Sequence, residues 1–218
     1  MDIDVIFDTA CPWCYVGMLR LERALADRPG VQASLRWRPF LLNPDMPRQG
    51  MDRRVYLERK FGGPERARRT LEAAESAGRM VGITFNFAAI RRTPNTVDSH
   101  RLIRFATEPA QKKALINGVF QAYFLQGEDI GDRDVLVRIG VGEGLDGAEL
   151  RQRLDSSLET GDVMAENTRA HAQGLNGVPG FIFNGSYAIA GAQEPPIFTR
   201  MIDLSLETGV ASAMTSSA

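Results

Sequence analysis

The chain has 218 residues, 44% of them hydrophobic and 24% charged, with a formal net charge of −1. That length and balance suit one large globular domain, or one domain carrying a substantial insertion, able to fold without disulfide staples. A charge so near zero gives no electrostatic reason to expect nucleic acid or an anionic membrane as partner.

The opening "MDIDVIFD" is acidic where a secretory signal needs basic residues and a long apolar run. No apolar stretch approaches the ~18 residues of a membrane span. The expected location is the cytoplasm, with no membrane association. In a reducing compartment, paired cysteines are expected to serve catalysis, redox sensing or metal binding rather than a structural disulfide.

In chain order, "IDVIFD" (3–8) is rich in β-branched and aromatic residues and reads as a buried strand. It runs into Cys11-Pro12, and a proline suits the first helical position because its missing N–H would be unpaired there anyway. "PWCYVGMLRLERALADRPG" then reads as a helix stopped by Pro29-Gly30, and "VQASLRWRPFLL" (31–42) as a second strand ended at Asn43-Pro44. From 45 to 172 the periodicity is helical, with apolar stripes such as Leu150, Leu154 and Leu158. The arginine-rich 64–80 stretch reads as an exposed helix with a solvated charged face. Strand character returns in "FIF" and "YAIAG", joined at Asn184-Gly185, a hairpin signal because both residues tolerate positive φ. A last helix opens at Pro195-Pro196, and 209–218 has too little apolar bulk to pack and is expected to be a loose tail. The order β-α-β, helices, β-β-α predicts an α/β fold: one mixed sheet assembled from 1–44 and 173–208, with 45–172 as an all-helical insertion.

Cys11 and Cys14 are the only two cysteines, and they sit at the strand-to-helix junction. The attacking species in disulfide exchange is the thiolate, and a helix start offers a sulfur the positive end of the dipole and free backbone N–H groups. Cys11 is therefore the expected attacker. Cys14, one turn on and flanked by Trp13 and Tyr15, is placed to resolve a mixed disulfide and is expected to be the more shielded. Cys11 is expected to face outward. A zinc site would need ligands beyond the two thiols, His100 and His171, and a Cys-His hydrolase pairing Cys11 with either histidine would leave Cys14 without a role. No metal site is expected.

The blocks "FDTACPWCYVG", "WRPFLLNPDMP", "RTPNTVDSHRLI" and "GVPGFIFNGSYAIAGAQ" resemble, in the same order, the DsbA-type thiol–disulfide oxidoreductases, and specifically their FrnE-like branch. The resemblance implies a thioredoxin-like fold, a redox-active disulfide in place of any bound cofactor, and the same division of roles between Cys11 and Cys14. It also implies a cis-proline beside the dithiol, which matches Pro179 after Val178, and a substrate-binding surface comprising Pro12, Trp13, Val178 and Pro179. The partner it implies is a protein or small-molecule thiol or disulfide, with glutathione as a candidate reductant or co-substrate. One position departs. The buried acid that thioredoxins and many DsbA proteins carry six residues before the nucleophile is Val5 here. Asp8 is either a nearer proton relay or a solvated strand-end residue. Kappa-type glutathione transferases and 2-hydroxychromene-2-carboxylate isomerases share the fold and are the alternative enzyme class. A chaperone or metal-carrier module is the non-catalytic one.

Overall fold

The computed structural model describes the backbone of residues 1–215 and the side chains of residues 1–207. Strand β1 (Asp2–Phe7) lies inside a four-stranded sheet of order β2-β1-β5-β6. It pairs in parallel with β2 (Ser34–Pro39) after a crossover through α1 (Pro12–Ala26), and antiparallel with β5 (Gly180–Phe183). Strand β6 (Tyr187–Ala190) closes the hairpin at Asn184 and Gly185, whose φ values of 48° and 68° fit the two left-handed positions of a tight turn.

The period of two along β1 decides what covers each face. Ile3 and Val5 join Leu21 and Ala24 of α1 and Phe198 and Ile202 of α9 (Pro195–Thr215) in one buried cluster. Ile6 points the other way and packs with Phe40 and with Ala170 of α8 (Thr160–Ala172). The helix α9 runs on through 209–215, where a loose tail was expected, and residues 216–218 lie outside the described residues. Once a helix is nucleated, each further residue adds a hydrogen bond at low cost, so a packed start can propagate the helix beyond it.

Between β2 and β5 the chain forms α2 (Arg53–Phe61), α3 (Pro64–Met80), α4 (Val97–Phe105), α5 (Pro109–Phe124), α6 (Arg133–Gly142), α7 (Gly147–Asp155) and α8. It is not wholly helical. Met51–Asp52 (β3) and Arg92–Thr93 (β4) form a two-residue antiparallel pair, too short for a strand period to show in sequence. The insertion packs on α1 and on the end of β1 through aromatic rings: Tyr15 stacks on Phe120 at 4.9 Å, and Phe7 meets Phe120 edge-on at 6.3 Å. Leu150 and Leu154 are buried as the helical stripe requires, but Leu158 lies beyond α7 and is exposed. The turn is taken instead by the buried Arg101, which donates to the carbonyls of Arg153, Leu154, Ser156 and Leu158.

Candidate active site

The centre of the sheet feeds directly into the dithiol. Past Phe7 the chain turns, with the Cys11 amide donating to the Asp8 carbonyl at 3.1 Å, and Cys11 becomes the N-cap of α1 with Pro12 in its first turn. The Cys14 amide donates to the Cys11 carbonyl at 3.0 Å, the tight first turn that brings the cysteines to within 3.4 Å of each other. Both are free thiols. A disulfide needs a sulfur separation of about 2.05 Å, so a small approach closes the pair. Burial pushes the Cys14 thiol well above its ordinary range; the hydrogen bond and charge of Cys11 add to this, as does the charge of Asp8, while a backbone hydrogen bond from Asp8 opposes it.

The opposite wall comes from the far end of the chain. The Val178–Pro179 peptide is cis, and the Cys11 thiol points at the Val178 carbonyl oxygen at 3.7 Å. Pro179 is buried over α1: a Cβ built on Gly17 would lie 3.1 Å from both the Pro179 ring and Phe181. The Gly191 amide holds the Pro179 carbonyl at 2.7 Å, and Arg20 ties α1 to the Ala192 carbonyl and Glu194. The fold thus gathers Cys11, Cys14, Val178 and Pro179 at one place, with Pro12 and Trp13 half-buried beside them. The expected outward face of Cys11 is absent: this residue is 4% exposed against 2% for Cys14, because the Val178 loop closes over its sulfur.

Behind the thiols sits a second buried constellation. Asp8 is 1% exposed, which rules out the solvated reading; its carboxylate accepts from the Ala10 amide at 3.1 Å and the Leu42 amide at 2.7 Å. His100, on α4, is equally buried, with Nε2 3.7 Å from Asp8 Oδ1 and its ring edge-on to Phe7 at 5.1 Å. Among the described residues neither imidazole nitrogen has a hydrogen-bond partner, an arrangement that costs about 1–3 kcal/mol for each buried polar group left unsatisfied. One residue after Asp8 and one before His100, Thr9 and Ser99 share a hydrogen bond of 2.7 Å, so α4 docks on the β1–α1 turn through two adjacent side-chain pairs. Val5 lies in the sheet core at 2% exposure and offers no proton carrier. His171 is exposed and rests on Phe40, with ring centroids 4.7 Å apart. The sequence singled out His100 only as a possible metal or hydrolase partner, because its distance to Asp8 is set by tertiary packing alone. A cavity of about 470 Å³ opens nearby, bounded by Leu42, Asn43, Met46, Tyr56, Arg59 and Lys60.

A thiol pair opening the helix after the central strand, with a proline loop before the antiparallel strand set against it, defines a thioredoxin-like domain; the helical insertion between the halves narrows the class. The chain belongs to the DSBA-like thioredoxin domain family, whose model matches residues 2–203. It is 28% identical over 203 residues to YwbO of Bacillus subtilis, covering 92% of this chain and 94% of that one. Its structure superposes on a probable DsbA oxidoreductase from Streptomyces coelicolor with a TM-score of 0.85 and 29% identity, over 95% of this chain and 90% of the other. The fold also matches the cytosolic disulfide reductase DsbM from Pseudomonas aeruginosa, at a TM-score of 0.62 and 17% identity over 95% and 100% of the two chains. That protein has been solved with GSH as well.

Proposed function

We propose that the protein is a dithiol–disulfide oxidoreductase of the FrnE-like kind, working in the cytoplasm through its CPWC motif. Two free thiols 3.4 Å apart at the start of α1, under the Val178 carbonyl, carry this reading. The Cys11 thiolate attacks a substrate disulfide, forming a mixed disulfide and releasing one substrate thiolate. Cys14 then bonds to Cys11, releases the second thiolate and leaves the CPWC disulfide, so two electrons pass to the substrate. In the reverse direction the same steps oxidise a substrate dithiol, and the reduction potential decides between them. Pro12, Trp13, Val178 and Pro179 form the substrate-facing surface. Val178 is suited to receive an extended substrate backbone as an added strand would be received, since its carbonyl lies 3.7 Å from the Cys11 sulfur.

Glutathione is the proposed small-molecule partner. The GSH-bound DsbM supports it by fold likeness, and Arg59 and Lys60 in the cavity beside Leu42 offer cations to carboxylates. Equilibrating the protein in glutathione buffers of graded ratio, then alkylating and weighing it, tests the reading. One two-electron transition of the Cys11–Cys14 pair is expected. A pair that remained a dithiol throughout excess oxidised glutathione would sink it.

A further inference from the structure

We propose that Asp8 and His100 together are the internal proton acceptor for Cys14, so that the helical insertion supplies the base that β1 does not carry. The proposal rests on the reading of Cys14 as the resolving thiol. Three observations place the pair in that role. The Asp8 carbonyl accepts from the Cys11 amide at 3.1 Å and the Cys11 carbonyl from the Cys14 amide at 3.0 Å, so Asp8 and Cys14 share one tight turn, and the Asp8 charge adds to the upward push on the thiol. The Asp8 carboxylate is held in place by the Ala10 and Leu42 amides, which leaves its remaining acceptor capacity aimed into the protein. His100 then stands with Nε2 3.7 Å from that carboxylate and with neither nitrogen engaged elsewhere among the described residues. A histidine that merely filled space would be expected to satisfy at least one nitrogen. This one is kept free and faces a carboxylate.

The chemistry balances without a further reactant. With Cys11 joined to a substrate sulfur, the Cys14 S–H bond breaks and its proton passes through the Asp8 carboxylate to His100 Nε2. The electron pair left on Cys14 forms the bond to the Cys11 sulfur. The Cys11–substrate S–S bond breaks, and the substrate sulfur leaves with that bond's electron pair. Imidazolium and carboxylate then form a buried ion pair that returns the proton to the departing thiolate or to solvent.

Several other ionisable groups on the surrounding elements are already engaged. On α4, Asp98 pairs with Arg101 and Arg133, and Arg104 with Glu159. At the end of β2, Arg38 pairs with Asp4 and with Glu166 of α8. On α1 and α5, Glu22 pairs with Lys113, and Tyr15, whose hydroxyl is pushed up by burial, stacks on Phe120. Among the described residues, the two cysteines, Asp8 and His100 are the buried groups gathered at this place to exchange a proton.

An internal base makes ring closure independent of pH between the titration of the base and that of the thiol, whereas closure without one speeds up about tenfold per pH unit. Rapid mixing of reduced protein with oxidised glutathione, quenched with acid and read by mass, separates the attack on Cys11 from closure by Cys14. In the wild type, closure is expected to be flat around neutrality. In His100→Gln and Asp8→Asn it is expected to climb about tenfold per unit and to be at least about tenfold slower near pH 6.5, with the attack step unchanged. A merely structural role would alter stability or both steps alike and leave the pH slope in place. A His100→Gln profile matching the wild type overturns the proposal. So does a wild-type closure rate that already climbs tenfold per unit. If wild type and Cys14→Ser accumulate the same adduct, the resolving role of Cys14 itself fails and the proposal falls with it, an outcome distinct from the other two. Should the variants not fold, the wild-type profile alone decides, because a flat closure rate around neutrality requires an internal base.

Discussion

The Val178 carbonyl oxygen stands 3.7 Å from the Cys11 sulfur across 167 positions of sequence. A carbonyl can accept from the thiol or from a substrate amide. When Cys11 ionises it loses the proton that it offers to Val178, and the oxygen becomes available to an incoming backbone. In the proposed mechanism, ionisation of Cys11 and release of the Val178 carbonyl for docking are thus one event.

The unequal chemistry of the two cysteines is directly testable. After incubation with oxidised glutathione, Cys14→Ser is expected to carry close to one glutathione per chain on Cys11, and Cys11→Ser almost none, as read by intact mass. Attack needs only the first thiol, while release needs the second. Equal adducts on both variants would remove the division of roles.

Burial of Cys14 also leaves a signature in stability. Its folded-state thiol is held above its ordinary range, while an unfolded thiol titrates near about 8.5. Below that value both states keep the proton and stability does not respond. As pH rises beyond it, the unfolded chain releases a proton that the folded chain retains, so the reduced protein loses stability at up to about 1.4 kcal/mol per unit. Urea midpoints of reduced wild type and Cys14→Ala, compared at about pH 7.5 and 9.5, are expected to show the larger fall in the wild type. The buried hydroxyls of Tyr15 and Tyr123, also pushed up, are common to both chains and cancel. Parallel falls would show that Cys14 ionises as readily folded as unfolded.

Gly17 sets how closely α1 approaches the proline loop. A valine there would drive into the Pro179 and Phe181 rings, already 3.1 Å from a hypothetical Cβ. Gly17→Val is expected to lose about 1–3 kcal/mol of stability, as overpacked cores do, and to slow exchange at Cys11 by shifting Val178. Gly30→Ala is the control, since a Cβ there meets nothing within 4 Å. A Gly17→Val protein with wild-type denaturation and wild-type exchange would show that the loop does not rest on α1 in solution.

The flanking halves of the fold were legible because their signals are local: the β-branched run into Cys11-Pro12, and Asn184-Gly185 with positive φ at both positions. The dithiol was legible for the same reason. What escaped depends on parts brought together from a distance. Cys11 reads as exposed on a helix tip, yet the Val178 loop buries it. Asp8 reads equally well as solvated, until the Leu42 amide and His100 are laid against it. Arg101, one more cation in an arginine-rich chain, gathers four carbonyls that no spacing rule connects to it. Leu158 continues a helical stripe on paper, but the helix has ended at Asp155.

The pairing of Ile3 with Phe183 has a consequence for biosynthesis. On the ribosome β1 emerges first and β5 nearly last, so the edge of the central strand that will receive β5 stays unpaired while the whole insertion is made. Helices with local contacts form quickly and long-range strand pairing slowly, and the insertion can hold the nascent strand through Phe7 against Phe120 and Thr9 against Ser99. Throughout that interval the CPWC thiols have no Val178 above them. The two thiols are therefore least protected during translation, and a chain arrested before residue 178 displays an uncovered dithiol to every disulfide in its surroundings.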